Sequence, residues 1–201
     1  MRPTLRQLGE PALTRQLSLA ALTGVTLAAA CTITPKYVAP ESGDVAEVRI
    51  AVGGVSDANA GNRAATDLFA YTVADDKCRA PQELGFVGTA PLTFARRKSL
   101  DMPLNDHPAK ASTEVRLAAE KQRLVLRSSA DLSGEAHFCS FLIDGTPQPG
   151  AQYEIVLNRP SLRVCEVSVF EIAADGAGGF TKARSDVFAV AETSRRCRRA
   201  F

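Results

Sequence analysis

Gln152-Tyr153-Glu154-Ile155-Val156-Leu157-Asn158 sets the period by which the rest of the chain can be read. Tyr153, Ile155 and Leu157 alternate with Gln152, Glu154 and Asn158, the period of a strand with one buried face. Pro149-Gly150 stands just ahead as a turn signal. Just behind, Leu162–Ile172 is the longest strand-like run, with Cys165, Val167 and Val169 on one face. Ahead of the turn, Phe138–Ile143 is apolar on both faces apart from Ser140.

The same grammar extends outward. Val48, Ile50 and Val52 alternate with Glu47, Arg49 and Ala51. Phe69, Tyr71 and Val73 form a second alternating set, closed by Asp75-Asp76. Val115 and Leu117, then Leu124 and Leu126, flank a polar stretch, so 113–128 reads as a hairpin. Val187–Ala191 is the last short run. About eight strands at this spacing predict an all-β chain, an antiparallel β-sandwich. The segment nearest to a helix by composition, 109–127, has its apolar residues at spacing two. No strand-helix alternation supports a parallel α/β sheet.

The chain has 201 residues, is 45% hydrophobic and carries 24 Lys+Arg against 22 Asp+Glu. That is enough apolar material for one core and excludes a wholly disordered chain. A net charge of +2 leaves no global nucleic-acid footprint.

Residues 1–30 read as an address. Arg2, Arg6 and Arg15 precede the uncharged run Leu17–Ala30, too short for the ~20 residues of a spanning helix. Leu27-Ala28-Ala29-Ala30-Cys31 resembles the lipobox of bacterial lipoproteins. The resemblance implies cleavage before Cys31 and acylation of its thiol and of the new N-terminus. Ala28 departs from that pattern, which usually has Leu there. Thr32 in place of Asp implies, by the same resemblance, an outer-membrane anchor facing the periplasm of a Gram-negative cell. An ordinary signal peptide ending in Ala-x-Ala is the alternative. Residues 1–30 hold three Arg and one Glu, so the remainder carries 21 basic and 21 acidic side chains. Thr32–Asp44, with Pro35, Pro40, Ser42 and Gly43, reads as a flexible tether (31–44 with the lipidated Cys), and 45–201 as the sandwich domain.

Four further cysteines, Cys78, Cys139, Cys165 and Cys197, imply disulfides in an exported chain and allow three pairings. Pro149-Gly150-Ala151-Gln152-Tyr153 resembles the Pro-Gly-x-x-Tyr entry to a strand in transthyretin-like and immunoglobulin-like sandwiches. That resemblance implies a turn passing from one sheet to the other, with the tyrosine ring inside and its hydroxyl capping backbone. It then implies 136–143 and 162–172 in opposing sheets. Cys139 would face Cys165 across the sandwich, leaving Cys78 with Cys197. The alternative is that Pro-Gly marks a plain hairpin. The stretch 113–172 also resembles small proteobacterial lipoproteins with one cysteine-bearing β-sandwich, a group without an assigned activity.

Chemical motifs are sparse. The cysteines stand 61, 26 and 32 positions apart, without the close ligand pairs of zinc sites. No metal and no cofactor is expected. Asn105-Asp106-His107-Pro108 reads as a polar turn, in which adjacent Asp106 and His107 are not expected to face each other. Gly54-Val55-Ser56-Asp57 lacks the second glycine of a nucleophile elbow. Asp175-Gly176-Ala177-Gly178-Gly179 reads as a hairpin connection, since no Lys-Ser/Thr helix follows. The candidate binding residues are Arg96 and Arg97 in one loop and Asp175, Lys182 and Arg184 around another. Arg195-Arg196-Cys197-Arg198-Arg199 is a second basic cluster, suited to an anionic surface or to plain solvation. Three functions are compatible with this: a non-catalytic envelope interaction or assembly module, a ligand-binding or hydrolase-inhibitor lipoprotein, and an envelope enzyme. The expected partners are the membrane, through Cys31, and an envelope protein, with no nucleic acid.

Overall fold

A computed structural model describes residues 34–55, 65–88, 98–107, 111–132, 135–194 and 197. The fold is an all-β sandwich of two five-stranded sheets. In chain order the strands are β1 (Val45–Val55), β2 (Ala65–Thr72), β3 (Gln82–Gly88), β4 (Ser112–Ala118) and β5 (Gln122–Leu132). They continue as β6 (Glu135–Gly145), β7 (Gln152–Ser161), β8 (Val164–Ala174), β9 (Phe180–Arg184) and β10 (Phe188–Glu192). One sheet has the order β4-β1-β7-β8-β9 and the other β10-β6-β5-β2-β3.

The inward positions of both sheets meet in one core. Val48, Ile50 and Val52 of β1 and Tyr153, Ile155 and Leu157 of β7 face Leu68, Leu124, Leu126 and Ile143 of the other sheet, all buried. Each such aliphatic side chain contributes roughly 1.5–3 kcal/mol on burial. At one end of the interior, buried Arg159 ties the sheets together. It donates to the Ser128 carbonyl at 3.2 Å, His137 carbonyl at 2.9 Å and Leu162 carbonyl at 2.9 Å.

Two strands were not anticipated. β3 and β9 are edge strands with weak alternation, recruited by backbone pairing to β2 and β8. β2 buries Leu68 and Ala70, while Phe69 and Tyr71 lie on its other face, where Phe69 stacks on Phe86 with ring centroids 4.4 Å apart.

The expected hairpin over 113–128 does not form. β4 pairs with β1 and β5 with β2 and β6, so the chain crosses between sheets at 119–121. A hairpin and such an arch have the same alternation, and here Val115 and Leu117 face Leu124 and Leu126 across the core. The purely antiparallel expectation also needs one correction, because β1 pairs with β7 in parallel. Parallel pairs suit strands buried on both faces. β7 is buried at every position from Tyr153 to Leu157.

The Pro149-Gly150 turn carries the chain from β6 in one sheet to β7 in the other. Gly150 adopts φ 75°, a left-handed conformation open to glycine at low cost. The Tyr153 ring is fully buried and meets Phe188 edge-on, centroids 5.5 Å apart. Its hydroxyl accepts a bond from the Gln148 N–H at 3.3 Å. Cys139 is bonded to Cys165 across the two sheets, Cα atoms 6.4 Å apart, and Cys78 to Cys197, 4.9 Å apart.

The stretch expected as a free tether is docked in part. The Glu83 N–H donates to the Pro35 carbonyl at 2.8 Å and the Tyr37 N–H to the Glu83 carbonyl at 2.9 Å, so Pro35–Tyr37 lie along the edge of β3. Burial of Tyr37 against the core supplies the reason. Cys31 and the signal-like segment before it lie outside the described residues.

Candidate functional site

The site lies on the outer face of the β4-β1-β7-β8-β9 sheet. Register places Glu114, Arg49, Glu154, Phe170 and Arg184 in one row across the five strands. Alternation alone would leave this row in water. Instead Arg49, Glu114 and Glu154 are buried, because residues 98–107 fold over them as a strap.

Arg49 and Glu114 hold the strap from below. The Arg49 guanidinium donates to the carbonyls of Met102 at 2.5 Å, Pro103 at 3.0 Å and Leu104 at 3.3 Å. Glu114 Oε2 accepts the N–H of Leu100 at 2.6 Å and of Met102 at 3.3 Å. Arg49 also donates to Glu114 Oε1, at 3.0 Å from Nε, and to Glu154 Oε1, at 3.1 Å from Nη1. Asp101 and Leu104 of the strap sit at φ 56° and 53°. Left-handed backbone costs an L-residue roughly 1–2 kcal/mol, so the buried charges keep the strap in a conformation it would not choose alone.

Glu154 is the centre of the exposed end. Its Oε1 lies 3.2 Å from His107 Nε2, and its Oε2 lies 2.7 Å from Lys182 Nζ. Asp106 Oδ1 is 3.5 Å from both His107 Nε2 and Lys182 Nζ. Burial pushes the Glu154 carboxyl up, but hydrogen bonds from His107, Lys182 and Arg49 outweigh it and hold the pKa down at about 2. For Glu114 too, burial raises the pKa, and the Leu100 N–H, Arg49 and the Met102 N–H bring it below the ordinary value. A carboxylate held this firmly ionised is a poor general base near neutral pH, where catalysis favours a pKa close to the working pH. What the arrangement does offer is a rigid anionic cradle. It borders an open hollow of about 370 Å³ lined by Leu104, Asn105, Asp106 and Lys182.

The polar turn at Asp106 and Lys182 of β9 meet here. Lys182 belongs to the site. Arg184 packs over the Phe170 ring, 5.8 Å from its centroid, with Lys182 Nζ 5.9 Å from the same ring. Asp175 turns inward on its own loop, where Oδ1 accepts the N–H groups of Ala177 and Gly179, both at 2.8 Å. It shapes the β8-β9 hairpin. Arg96, Arg97 and the basic residues 195–196 and 198–199 lie outside the described residues.

In the sequence, Arg49, Glu114 and Glu154 read as solvated strand positions, and Asp106 and His107 as neighbours that do not face each other. The backbone N–H of His107 donates to Asn105 Oδ1 at 3.2 Å, and this turn aims both at Glu154 and Lys182. The available signal was opposite charge at mid-strand in Glu47/Arg49, Glu114/Arg116 and Glu154. Comparison with known proteins finds no matching family model, no matching curated protein and no matching solved structure. The class established is therefore that of the fold, an all-β sandwich closed by two disulfides.

Proposed function

We propose that this chain is an exported, lipid-anchored sandwich that serves as a non-catalytic interaction and assembly module of the bacterial envelope, facing the periplasm from the outer membrane. The observation that carries the reading is the use of cysteine. Cys78–Cys197 and Cys139–Cys165 consume four of the five, and such bonds persist in oxidising compartments. The fifth is Cys31, at the end of a basic and then apolar segment. Acylation there would give stable anchoring, because each buried methylene adds ~0.8 kcal/mol. The non-catalytic part is supported by the cluster on the sheet face, whose carboxylates are engaged in ion pairs. A second reading, a ligand-binding or hydrolase-inhibitor lipoprotein, draws on the hollow beside Lys182.

The test is Cys31→Ala expressed beside the wild type with a radiolabelled fatty acid. The variant is expected to lose the label and either leave the membrane fraction or persist uncut. A variant that matures, fractionates and labels like the wild type defeats the anchoring claim. Turnover of a purified envelope substrate that disappears in His107→Ala would replace the binding module with an enzyme.

A further inference from the structure

We propose that Asp106, His107 and Glu154 form a binding site for one divalent transition-metal ion of the zinc class, which enters by displacing the Lys182 ammonium. The donor set is one imidazole nitrogen and two carboxylate oxygens, with ligand atoms all within 4.8 Å of one another. Zinc–ligand bonds of ~2.0–2.1 Å in a tetrahedron put neighbouring ligand atoms about 3.3 Å apart. His107 Nε2 stands 3.2 Å from Glu154 Oε1 and 3.5 Å from Asp106 Oδ1. Two edges of the polyhedron are thus in place, and water from the adjoining hollow supplies the remaining position.

Charge points the same way. Lys182 Nζ is already a cation shared by the two ligand carboxylates, 2.7 Å from Glu154 and 3.5 Å from Asp106. Its side chain is 21% exposed and has the Phe170 ring beside it as an alternative seat. With Lys182 moved out, Glu114, Glu154 and Asp106 face Arg49 alone, a deficit of two positive charges. One divalent ion closes that deficit. Arg49 remains bonded to Glu154 Oε1 and fixes its orientation, the role outer-shell groups play around metal ligands. Asp106, 76% exposed, opens the path of entry, whereas Glu154 at 1% sets the floor. Imidazole mixed with carboxylate favours zinc-like ions over magnesium or calcium, which prefer all-oxygen shells.

The experiment is a Zn²⁺ titration of the purified, disulfide-bonded protein by calorimetry, with melting curves alongside. One ion per chain is expected, with a higher melting temperature. His107→Ala should weaken binding by about 100-fold or more, beyond the effect of losing an outer-shell group. Lys182→Met should tighten it by about tenfold, since no ion pair then has to be broken. His137→Ala, the other histidine, should bind like the wild type. The Lys182→Met arm keeps the test decisive if His107→Ala fails to fold. Absence of saturable binding, unchanged affinity in His107→Ala, weaker binding in Lys182→Met, or Mg²⁺ bound as tightly as Zn²⁺ would each overturn the proposal.

Discussion

The two outer faces of the sandwich are each covered by an irregular segment, and they are pinned by opposite chemistry. On the β4-β1-β7-β8-β9 sheet the strap 98–107 is held by Arg49 between Glu114 and Glu154. On the other sheet, Val125 of β5 is fully buried on the outer side beneath Val73, Cys78 and Cys197, with Leu142 beside it. There the pin is covalent and joins residues 119 positions apart. Neither the strap 98–107 nor the segment 73–81 holds a helix or a strand, so neither brings its own hydrogen-bond ladder. A cover without a ladder needs a strong local fastening. The ionic fastening responds to acid and the covalent one to reductant.

Breaking the ionic pin should have the largest effect. Arg49→Ala leaves two buried carboxylates facing each other and is expected to cost about 3–5 kcal/mol in denaturant unfolding. The joint variant Arg49→Met, Glu114→Leu, Glu154→Leu removes the charge imbalance but should recover only part of that loss, because the carbonyls of Met102, Pro103 and Leu104 and the N–H groups of Leu100 and Met102 are left without these partners. A joint variant as stable as the wild type would show that these bonds do not fasten the strap.

Breaking the covalent pin comes next. Cys78→Ser with Cys197→Ser is expected to cost about 2–4 kcal/mol. Cys139→Ser with Cys165→Ser closes a shorter loop, 26 residues against 119, and should cost about 1 kcal/mol less in the chain-entropy account. Equal losses would assign the stabilisation to local packing.

Acid should separate the two faces. Glu154 is held at about 2 in the folded state against an ordinary 4.5, so its contribution is fully present above pH 4.5 and is lost as pH falls toward 2. The loss is on the order of 3 kcal/mol at most. Urea midpoints measured across that window should fall in the wild type and fall less in Glu154→Gln. A parallel fall in both would remove Glu154 from the account. The smallest effect is expected at the turn, where Tyr153→Phe removes the hydroxyl that caps the Gln148 N–H and should cost about 1 kcal/mol by calorimetric melting.

Much of the frame is legible in the chain itself. Alternation in Val48–Val52, Tyr153–Leu157 and Cys165–Val169 names the inward positions, because a strand's side chains have period two whatever its neighbours are. Pro149-Gly150 and Tyr153 mark the passage between sheets, and that passage puts Cys139 opposite Cys165. The site was not legible in this way. Arg49 and Glu154 read as solvated for the same reason that Ile50 and Ile155 read as buried.

Local pattern in the linear chain accounts for eight of the ten described strands, the inward faces of β1, β7 and β8, and the cysteines available for covalent closure. These depend on local period and on residue type. The tertiary structure alone decided that β4 and β5 part company, that β1 and β7 run parallel, and that Arg49, Glu114 and Glu154 share one row. Register between strands 65 and 105 residues apart in sequence is set by how the whole core packs. The burial of that row depends on a strap whose Met102, Pro103 and Leu104 carbonyls and Leu100 and Met102 N–H groups bond to the charges beneath it.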